Sequence, residues 1–435
     1  MSFSKSFHCS LQHAPAWVVA LFGAVTSFGV YFCMYAFRKP FTAAGFEGQQ
    51  FLGVGYKVWL VTAQVIGYML SKFYGIKFIS SIPKSKRAVT IVQLILIAWL
   101  ALLLFAITPA PYSILLLLLN GFPLGMVWGL VFSYLEGRLA TEAMGAVLST
   151  SFIFSSGVVK SIGKYLLETD GVTEQWMPFV AGALFVIPML LFTWLLKHMP
   201  PPTDDDIQHR TERKPMNAAD RKQFVTQFFP GLAVIVGTYV MLTVLRDFRD
   251  NFANELWREL GYGAQPAIFT QTEIPVSLIV LVAMGLLILV RRNIKAFLIN
   301  HLVIICGYVM CLLSTLLFLN QYIHALLWMT LVGIGLYLAY VPFNCLYFER
   351  MIASYKIRSN VGFVMYIADS FGYLGSVVVL FVKEFSGVQT SWTHFFIQTV
   401  FAVSLLGIVG TVAAAGYFRK KYTETQTTVV TAYAV

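Results

Sequence analysis

Charged residues are scarce in this sequence of 435 residues. Lys, Arg, Asp and Glu make up 12% of it, against roughly 25% in a typical soluble domain, and 58% of it is hydrophobic. It contains many apolar runs of about 20 residues, each long enough to cross a hydrocarbon core of ~30 Å as a helix. The runs are continuously apolar rather than alternating, which excludes a β-barrel. The sequence therefore predicts an all-α integral membrane protein.

Cysteine is rare as well, and no catalytic or metal-binding motif is present. The five cysteines form neither a CxxC pair nor a Cys/His cluster, so neither a metal site nor a disulfide framework is predicted. The sequence also lacks GxSxG, HExxH and the GxxxxGK(S/T) loop that binds nucleotide phosphates. We therefore expect neither an enzyme nor a cofactor, and the missing nucleotide loop argues against a primary pump.

Basic residues outnumber acidic ones, and the formal net charge is +11. In a membrane protein this excess is typical of cytoplasmic loops rather than of a nucleic-acid partner. With the N-terminus in the cytoplasm, most of the 31 Lys and Arg residues fall in inside segments. The first apolar stretch, Trp17 to Phe37, is too long for a signal peptide and should remain as a helix. We expect a multi-pass monomer in the lipid bilayer of the cytoplasmic (inner) membrane, with both termini inside.

Twelve membrane spans are predicted, in two halves. The spans are 17–41, 54–76, 88–108, 112–135, 143–166, 177–197, 225–246, 268–290, 296–318, 324–348, 360–383 and 393–417. The polar, Pro-rich segment 199–223 separates the sixth span from the seventh and is typical of a connecting loop. The expected organisation is a cytoplasmic tail (1–16), an N-terminal six-helix bundle (17–197), a cytoplasmic central loop (198–224), a C-terminal six-helix bundle (225–417) and a cytoplasmic tail (418–435).

Two cations interrupt the end of the first span, in the stretch YAFRKPF. Arg38 and Lys39 would lie on the outer side, where the charge bias disfavours them. Their side chains can snorkel to the interface, or they can face a cavity inside the protein. The second interpretation makes both residues candidates for substrate binding.

The two halves resemble each other. Arg38 precedes Arg246 by 208 residues, and Glu136 precedes Glu349 by 213 within two similar stretches, 133–157 and 346–372. A near-constant offset predicts duplication of a six-helix unit, with two pseudo-symmetric bundles. The first and seventh spans then occupy equivalent places, and their arginines face each other across the axis.

Two guanidinium groups that converge in a low-dielectric cavity repel each other unless an anion lies between them. The planar fork of donors on arginine matches phosphate and carboxylate. Arg246 also has an interpretation without a ligand, because Asp247 and Asp250 are close in sequence and either can form a structural ion pair with it. The arginine pair therefore predicts an anion site, with a structural ion pair as the other possibility.

Several short motifs resemble those of the organophosphate:phosphate antiporters within the major facilitator superfamily. They are YAFRKPFTAA (35–44), SKFYG (71–75), LRDFRDNF (245–252), EIP (273–275) and FGYLGS (371–376). The resemblance implies twelve helices in two bundles and phosphate binding by Arg38 and Arg246. Lys72 matches the lysine of the family's SKF segment and Tyr35 belongs to the first matching motif, so both are further candidates for substrate binding. The chain departs from the family at its fifth-span histidine, where Phe154 stands near that position, and in the loop after the second span.

Other polar residues within apolar runs are weaker candidates. Asp369, well inside the eleventh span, is expected to face the cavity. Glu273 is a candidate for balancing an arginine, carrying a proton or lying at the outer interface. Lys57 and Lys160 belong either to the cavity or to the bilayer edge. Hydroxyl and amide contacts to a polar substrate are expected from Tyr340 and Asn344. The glycines of the fourth span, spaced four apart at 121, 125 and 129, are predicted to permit close helix packing.

These observations together predict a secondary active transporter of a small anionic solute, including phosphorylated solutes, that works by alternating access and exchange. Two alternatives remain open. One is a proton-coupled symporter of sugars, peptides or muropeptides that uses Asp369 or Glu273. The other is a transporter-like membrane receptor for a phosphorylated metabolite, because a fold does not guarantee flux.

Overall fold

The structure is a computed structural model that describes residues 3–208, 218–355, 361–385 and 390–433. Within these ranges twelve helices have 21 residues or more, and they match the twelve predicted spans. In chain order they are α1 (Ala16–Ala36), α2 (Tyr56–Ser81), α3 (Arg87–Ile107), α4 (Ile114–Leu135), α5 (Thr141–Glu168), α6 (Met177–Lys197), α7 (Ala218–Asn251), α8 (Ile268–Ile288), α9 (Asn293–Leu319), α10 (Ala325–Cys345), α11 (Val361–Phe385) and α12 (Trp392–Tyr433).

Ten of these described helices are long and apolar enough to cross a membrane. The outer surface carries large exposed apolar side chains, among them Ile187 (78% exposed), Val409 (68%) and Leu115 (65%). A soluble protein rarely exposes so much apolar surface. The chain is therefore a multi-pass membrane protein with an all-α fold, as the sequence predicts.

The other elements of the described ranges are short. They are helices Phe3–Gln12, Asp204–Gln208, Ala253–Glu259 and Tyr347–Tyr355, 3-10 turns Pro40–Ala43 and Lys84–Lys86, and an antiparallel hairpin of strands β1 (Gln50–Phe51) and β2 (Val54–Gly55). The hairpin precedes α2 and helix Ala253–Glu259 follows α7, so both lie at the same end of the bundle. We call this end the hairpin end, and the opposite one, where α6 ends and α7 begins, the linker end.

Helix packing repeats in the two halves. In each half the first helix contacts the fifth and sixth, the fourth contacts the second and third, and the third contacts the sixth. The N-terminal pairs are α1–α5, α1–α6, α2–α4, α3–α4 and α3–α6, and their counterparts are α7–α11, α7–α12, α8–α10, α9–α10 and α9–α12. This correspondence confirms the two pseudo-symmetric six-helix bundles that the sequence predicts.

The halves meet along α2 against α11 and α5 against α8, and these two pairs are equivalent under the repeat. The second contact requires a glycine. A Cβ at Gly157 of α5 would lie 2.7 Å from the Cβ of Glu273 and 2.8 Å from the carbonyl oxygen of Phe269, both on α8. Any side chain at this position would therefore force the two helices apart.

Glycine also sets the packing of α4 on α2. A Cβ at Gly121 would collide with the backbone carbonyl of Gln64, and one at Gly125 with the hydroxyl of Ser71. Small residues let two membrane helices approach until their backbones touch. The predicted packing role is thus confirmed for these two glycines.

Two helix ends differ from the prediction in ways that affect the site. The expected continuation of the first span to residue 41 is wrong, because α1 ends at Ala36 and a 3-10 turn begins at Pro40. Proline has no N–H to continue a helix and disfavours helical geometry in the residue before it. Conversely, α7 runs beyond the predicted residue 246 to Asn251, so Arg246 lies inside a helix.

Candidate functional site

The chain turns inward where α1 ends, because two amides from other helices bind the carbonyl groups freed there. Asn120 of α4 donates from Nδ2 to the carbonyl of Phe37 at 3.0 Å, and Gln64 of α2 donates from Nε2 to the carbonyl of Arg38 at 2.9 Å. Arg38 and Lys39 are 6% and 3% exposed as a result. Both side chains are therefore buried between helices, and neither snorkels to an interface.

A polar cavity of about 560 Å³ lies between the two halves. All eight residues that the sequence marks as substrate-binding candidates line it, together with residues that it did not single out. The lining residues are Tyr31, Tyr35, Arg38, Lys39, Tyr68, Lys72, Trp128, Phe152, Arg246, Asp247, Asp250, Tyr337, Tyr340, Asn344, Asp369 and Tyr373. The structure thus brings the candidates together, and their binding role stays a prediction.

Arg38 has no counter-charge in the part of the chain that the structure describes. Its guanidinium lies 3.9 Å from the ring centroid of Tyr68 and 5.8 Å from that of Tyr35, and its Nε has no hydrogen-bond partner among the described residues. A buried cation without an anion is costly. Cation–π contacts offset only part of that cost. Arg38 is therefore the group in the cavity that most clearly calls for an anionic ligand.

Arg246 begins a chain of polar contacts across the cavity wall. Its Nη2 lies 2.6 Å from Oδ1 of Asp247, and its Nη1 donates to the hydroxyl of Tyr340. The Tyr340 hydroxyl lies 2.9 Å from that of Tyr239, which donates to Asp369. The other oxygen of Asp369 lies 3.3 Å from Nζ of Lys72 on α2. The chain links the arginine of α7 to the lysine of α2, in the opposite half.

The structural alternative for Arg246 is thus present in part, because Asp247 pairs with it. Asp250 has a different role. It forms ion pairs with Lys39 and with Lys160, the second at 2.8 Å, and both lysines belong to the N-terminal half. The carboxylate therefore bridges the halves beside the cavity rather than neutralising Arg246.

The hairpin end is closed by further pairs of this kind. Nζ of Lys57 lies 2.6 Å from Oε1 and 2.8 Å from Oε2 of Glu255, with both side chains buried. Lys57 and Lys160 line no part of the cavity, yet they are 4% and 2% exposed. Both lysines therefore lie in the packed interface between the halves rather than in the cavity lining.

An ion pair also bridges the halves at the linker end, and here the C-terminal half supplies the cation and the N-terminal half supplies the acid. Arg350 of the C-terminal half donates from Nη2 to Oε2 of Glu142 at 2.6 Å, and from Nη1 to Asn293 at 2.8 Å. Ion pairs thus connect the halves at both ends of the cavity, buried at the hairpin end and partly buried at the linker end. Alternating access would require each set to break in turn.

Glu273 lies behind the cavity wall. Its Oε1 accepts a hydrogen bond from Nη1 of Arg249 at 2.7 Å, with both side chains buried. It is 6% exposed and does not line the cavity. Its carboxylate balances an arginine, as the sequence allowed, but this arginine is Arg249 rather than either cavity arginine.

Sequence reasoning missed Tyr68, Tyr239 and Tyr373. Tyr68 and Tyr373 form an edge-to-face pair across the halves, with ring centroids 5.2 Å apart, and each ring packs against one cavity arginine. Tyr68 stands one helical turn before Lys72, a spacing that places both on one face of α2. Phe154, at the position of the family's histidine, packs on Phe28 and Phe32 and does not line the cavity.

Metal ligands are not grouped in the described ranges, where no cluster of three or more His, Cys, Asp and Glu side chains occurs. The five cysteines are all free. The polar side chains that line the cavity are thus mainly four cations, three carboxylates and several tyrosines.

Comparison with known proteins gives a family and a fold. Residues 40–421 match the model of a family of unknown function, DUF5690. No curated protein matches the sequence. Among solved structures, the nucleoside transporter NupG is similar with a TM-score of 0.60 and 17% identity, over 91% of this chain and 98% of that one. A D-xylose-proton symporter is similar with a TM-score of 0.59 and 16% identity, over 92% and 97%.

A third solved structure names the fold. The proton:xylose symporter XylE of the major facilitator superfamily, bound to 6-bromo-6-deoxy-D-glucose, has a TM-score of 0.56 and 17% identity, over 96% of each chain. Likeness at this identity establishes a shared fold. The protein therefore has the major facilitator fold.

Proposed function

The chain belongs to the DUF5690 family and has the fold of major facilitator transporters, and on this basis we propose that it is a secondary transporter of a small anionic solute. Fold alone does not determine function, so the proposal depends on the cavity. The observation that supports it most is Arg38, a buried arginine in the cavity with no carboxylate partner in the described ranges.

The charges of the cavity favour one more anion. Asp247 neutralises Arg246, Asp250 contacts Lys39, and Asp369 contacts Lys72. Arg38 is left over, and a solute carboxylate or phosphate completes the set. Because an arginine binds such groups through two parallel hydrogen bonds, phosphate and carboxylate are the preferred head groups.

The rest of the lining suits a hydroxylated solute body. Tyrosine hydroxyls, the Asn344 amide and the Trp128 ring offer hydrogen bonds and a flat apolar face. A sugar acid or a sugar phosphate presents the matching groups. Exchange follows from the same charges, because a carrier that returns empty must rearrange around an uncompensated Arg38, whereas a loaded one does not.

One observation favours a second candidate, a proton-coupled symporter of a neutral sugar. The chain from Arg246 through Tyr340 and Tyr239 to Asp369 connects a carboxylate to the cavity. Two of the similar structures are named as proton-coupled xylose symporters. In this candidate Asp369 or Glu273 carries the proton, and the arginines serve the structure.

Counterflow in proteoliposomes separates the candidates. Vesicles with purified protein are loaded with inorganic phosphate, glucose 6-phosphate, glucuronate or glucose, and uptake of the same labelled solute is followed. Arg38→Gln should reduce exchange of the anions by roughly 10- to 100-fold, because a charge-assisted hydrogen bond contributes ~1.5–3 kcal/mol. Arg291→Gln, which removes the same side chain from an exposed site, should match the wild type.

Each other outcome assigns a different function. Transport of glucose alone, unaffected by Arg38→Gln and abolished by Asp369→Asn, would replace the anion transporter with the sugar symporter. Saturable anion binding without flux in either direction would indicate a receptor. Anion exchange that Arg38→Gln leaves intact would refute the role given to Arg38.

A further inference from the structure

A second cavity of about 350 Å³ lies beside the first, between α2, α7 and α11. Eight of its twelve lining residues are apolar. The lining residues are Val61, Thr62, Val65, Val244, Asp247, Phe248, Asn251, Phe252, Ser376, Val377, Val379 and Leu380. Asp247 is the residue that lines both cavities. The Asp247 side chain therefore lies between the polar first cavity and the mostly apolar second cavity.

The two oxygens of Asp247 have different environments. Oδ1 accepts hydrogen bonds from Nε and Nη2 of Arg246, at 3.1 and 2.6 Å. Oδ2 is buried and has no hydrogen-bond partner among the described residues, and the same is true of the Thr62 hydroxyl in the second cavity. The whole side chain is 6% exposed. A buried oxygen without a donor is unusual enough to require an explanation.

The other carboxylates are engaged differently. Asp250 and Asp369 each use both oxygens, in contacts with lysines and hydroxyl groups. Glu273 also has an unpartnered oxygen, but it lines neither cavity and its partner is Arg249. Among these acids, only Asp247 combines a free oxygen with a direct bond to a cavity arginine.

We propose that Asp247 is the proton-binding residue of the transporter, and that it takes up a proton when an anionic solute binds Arg246. This inference rests on the proposed function, since it requires an anion in the first cavity. The anion held by Arg38 also reaches Arg246 in the same cavity, and there it competes with Oδ1 of Asp247 for the guanidinium. Once Asp247 loses its cation, it is a buried carboxylate without a counter-charge, and such a group takes a proton from solvent rather than remain charged. The proton binds at Oδ2, and the neutral acid leaves Arg246 to the solute.

A proton fits the second cavity better than a metal cation. A calcium ion takes roughly 6–8 oxygen ligands, whereas the lining offers oxygens from four side chains, and Asp247 is the one acid among them. Asn251 already accepts a hydrogen bond from Lys39 at 2.7 Å. A proton needs one oxygen, and Oδ2 supplies it.

The groups around Asp247 set the pH dependence that is expected. Within the described residues, α2 and α11 bring no titratable side chain into the second cavity, and α12 brings none into either cavity. On the first-cavity side, α1, α2, α10 and α11 contribute tyrosine hydroxyls. The charged groups there are Arg38, Lys39, Lys72, Arg246, Asp250 and Asp369. The four cations disfavour a proton on Asp247 until the solute anion offsets them, so anion and proton bind together.

Proton uptake on anion binding tests the proposal. Full-length protein in weakly buffered detergent solution is mixed with inorganic phosphate, glucose 6-phosphate or glucuronate, and a pH-sensitive dye reports the protons taken up per anion bound. The wild type should take up one proton more per bound anion than Asp247→Asn, and the difference removes any protons that the anion itself exchanges. The affinity of the wild type for glucuronate, which stays ionised near neutral pH, should rise up to about tenfold for each unit of falling pH, and that of the variant should not change.

Two variants and one chemical probe complete the design. Asp247→Glu keeps a carboxyl and should keep the extra proton, and Glu168→Gln, which removes a carboxylate paired with Lys164 outside the cavities, should match the wild type. A hydrophobic carbodiimide reacts with protonated carboxyl groups. It should label Asp247 in the wild type more when the anion is present, which needs no variant to fold.

The outcomes separate the two proposals. Equal proton uptake by the wild type and Asp247→Asn, or labelling of Asp247 that the anion does not increase, would overturn the proton site and leave the anion transporter intact. Failure of every anion to bind the wild type would overturn both. A proton difference that follows Asp369→Asn instead would assign the proton to the tyrosine-linked acid.

Discussion

The ion pair between Lys57 and Glu255 makes a quantitative prediction about closure of the hairpin end. Its side chains are 5% and 7% exposed, Nζ contacts both carboxylate oxygens at 2.6 and 2.8 Å, and Nζ also donates to the carbonyl of Thr42 at 2.7 Å. Glu255→Gln leaves the lysine buried without its counter-charge. Breaking a buried pair from one side costs ~3–5 kcal/mol, and this cost applies only while the hairpin end is closed.

The equilibrium between the closed and open hairpin end should therefore shift toward opening. At 1.4 kcal/mol per factor of ten, the shift is roughly 100- to 5,000-fold. Opening lets water reach Lys57, so the variant remains folded while its populations change. Replacing both partners, in Lys57→Met with Glu255→Met, removes the unpaired charge and should restore closure, because well-packed apolar residues replace buried pairs at little cost.

Cysteine accessibility measures this shift. A reporter cysteine replaces Asn254, which is 5% exposed on the short helix at the hairpin end, in a background without the native cysteines. A polar thiol reagent should label it far faster in Glu255→Gln and at the parental rate in the double variant. Glu168→Gln, which breaks a partly exposed pair within α5, should change the rate by no more than about twofold.

A small change in the labelling rate of Glu255→Gln would refute this reasoning. If Glu255→Gln labels no faster than the Glu168→Gln control, the lysine is not confined by the closed state. The pair would then contribute nothing to closure, and the hairpin end would depend on its packing alone.

Two further predictions concern packing and the turn after α1. Gly121→Val should lower the midpoint of thermal unfolding or abolish expression, because its side chain collides with the backbone of Gln64, whereas Gly285→Ala, with nothing within 4 Å, should be tolerated. Asn120→Ala should destabilise the fold by roughly 2–4 kcal/mol, since it removes three buried hydrogen bonds, to the carbonyls of Phe37 and Ala98 and from the amide of Gln64. Asn320→Ala, whose amide bonds an exposed carbonyl, should be neutral, and equal midpoints for the two variants would contradict the role given to Asn120.

Much of the fold follows from periodicity and length alone. The sixth span is predicted at the bounds that the structure has, and the others lie within a few residues apart from the ends of α1, α2, α7 and α12. Apolar length is a local property, so it can be read from a single sequence. The end of α1 could not be predicted in this way. It depends on Asn120 and Gln64, which bind the carbonyls of Phe37 and Arg38 and are far away in the chain.

The candidate site was predictable for the cations and less so for their partners. Arg38 and Arg246 stand out because charge within an apolar run is rare. Lys57 and Glu255 are 198 residues apart, and nothing in either neighbourhood indicates that they meet. Tyr239 is one tyrosine among 21, and only the fold shows that it connects Tyr340 to Asp369.

The ion pairs between the halves indicate how the halves assemble, because each half supplies charges of opposite sign at its two ends. At the hairpin end the N-terminal half supplies the buried cations, Lys57 among them, and at the linker end it supplies the acid Glu142. Two copies of one half would therefore meet with like charges at both ends, and so would one half paired upside down with the other. The buried charges therefore favour one partner in one orientation, and two halves produced as separate chains should form this heterodimer in preference to a homodimer.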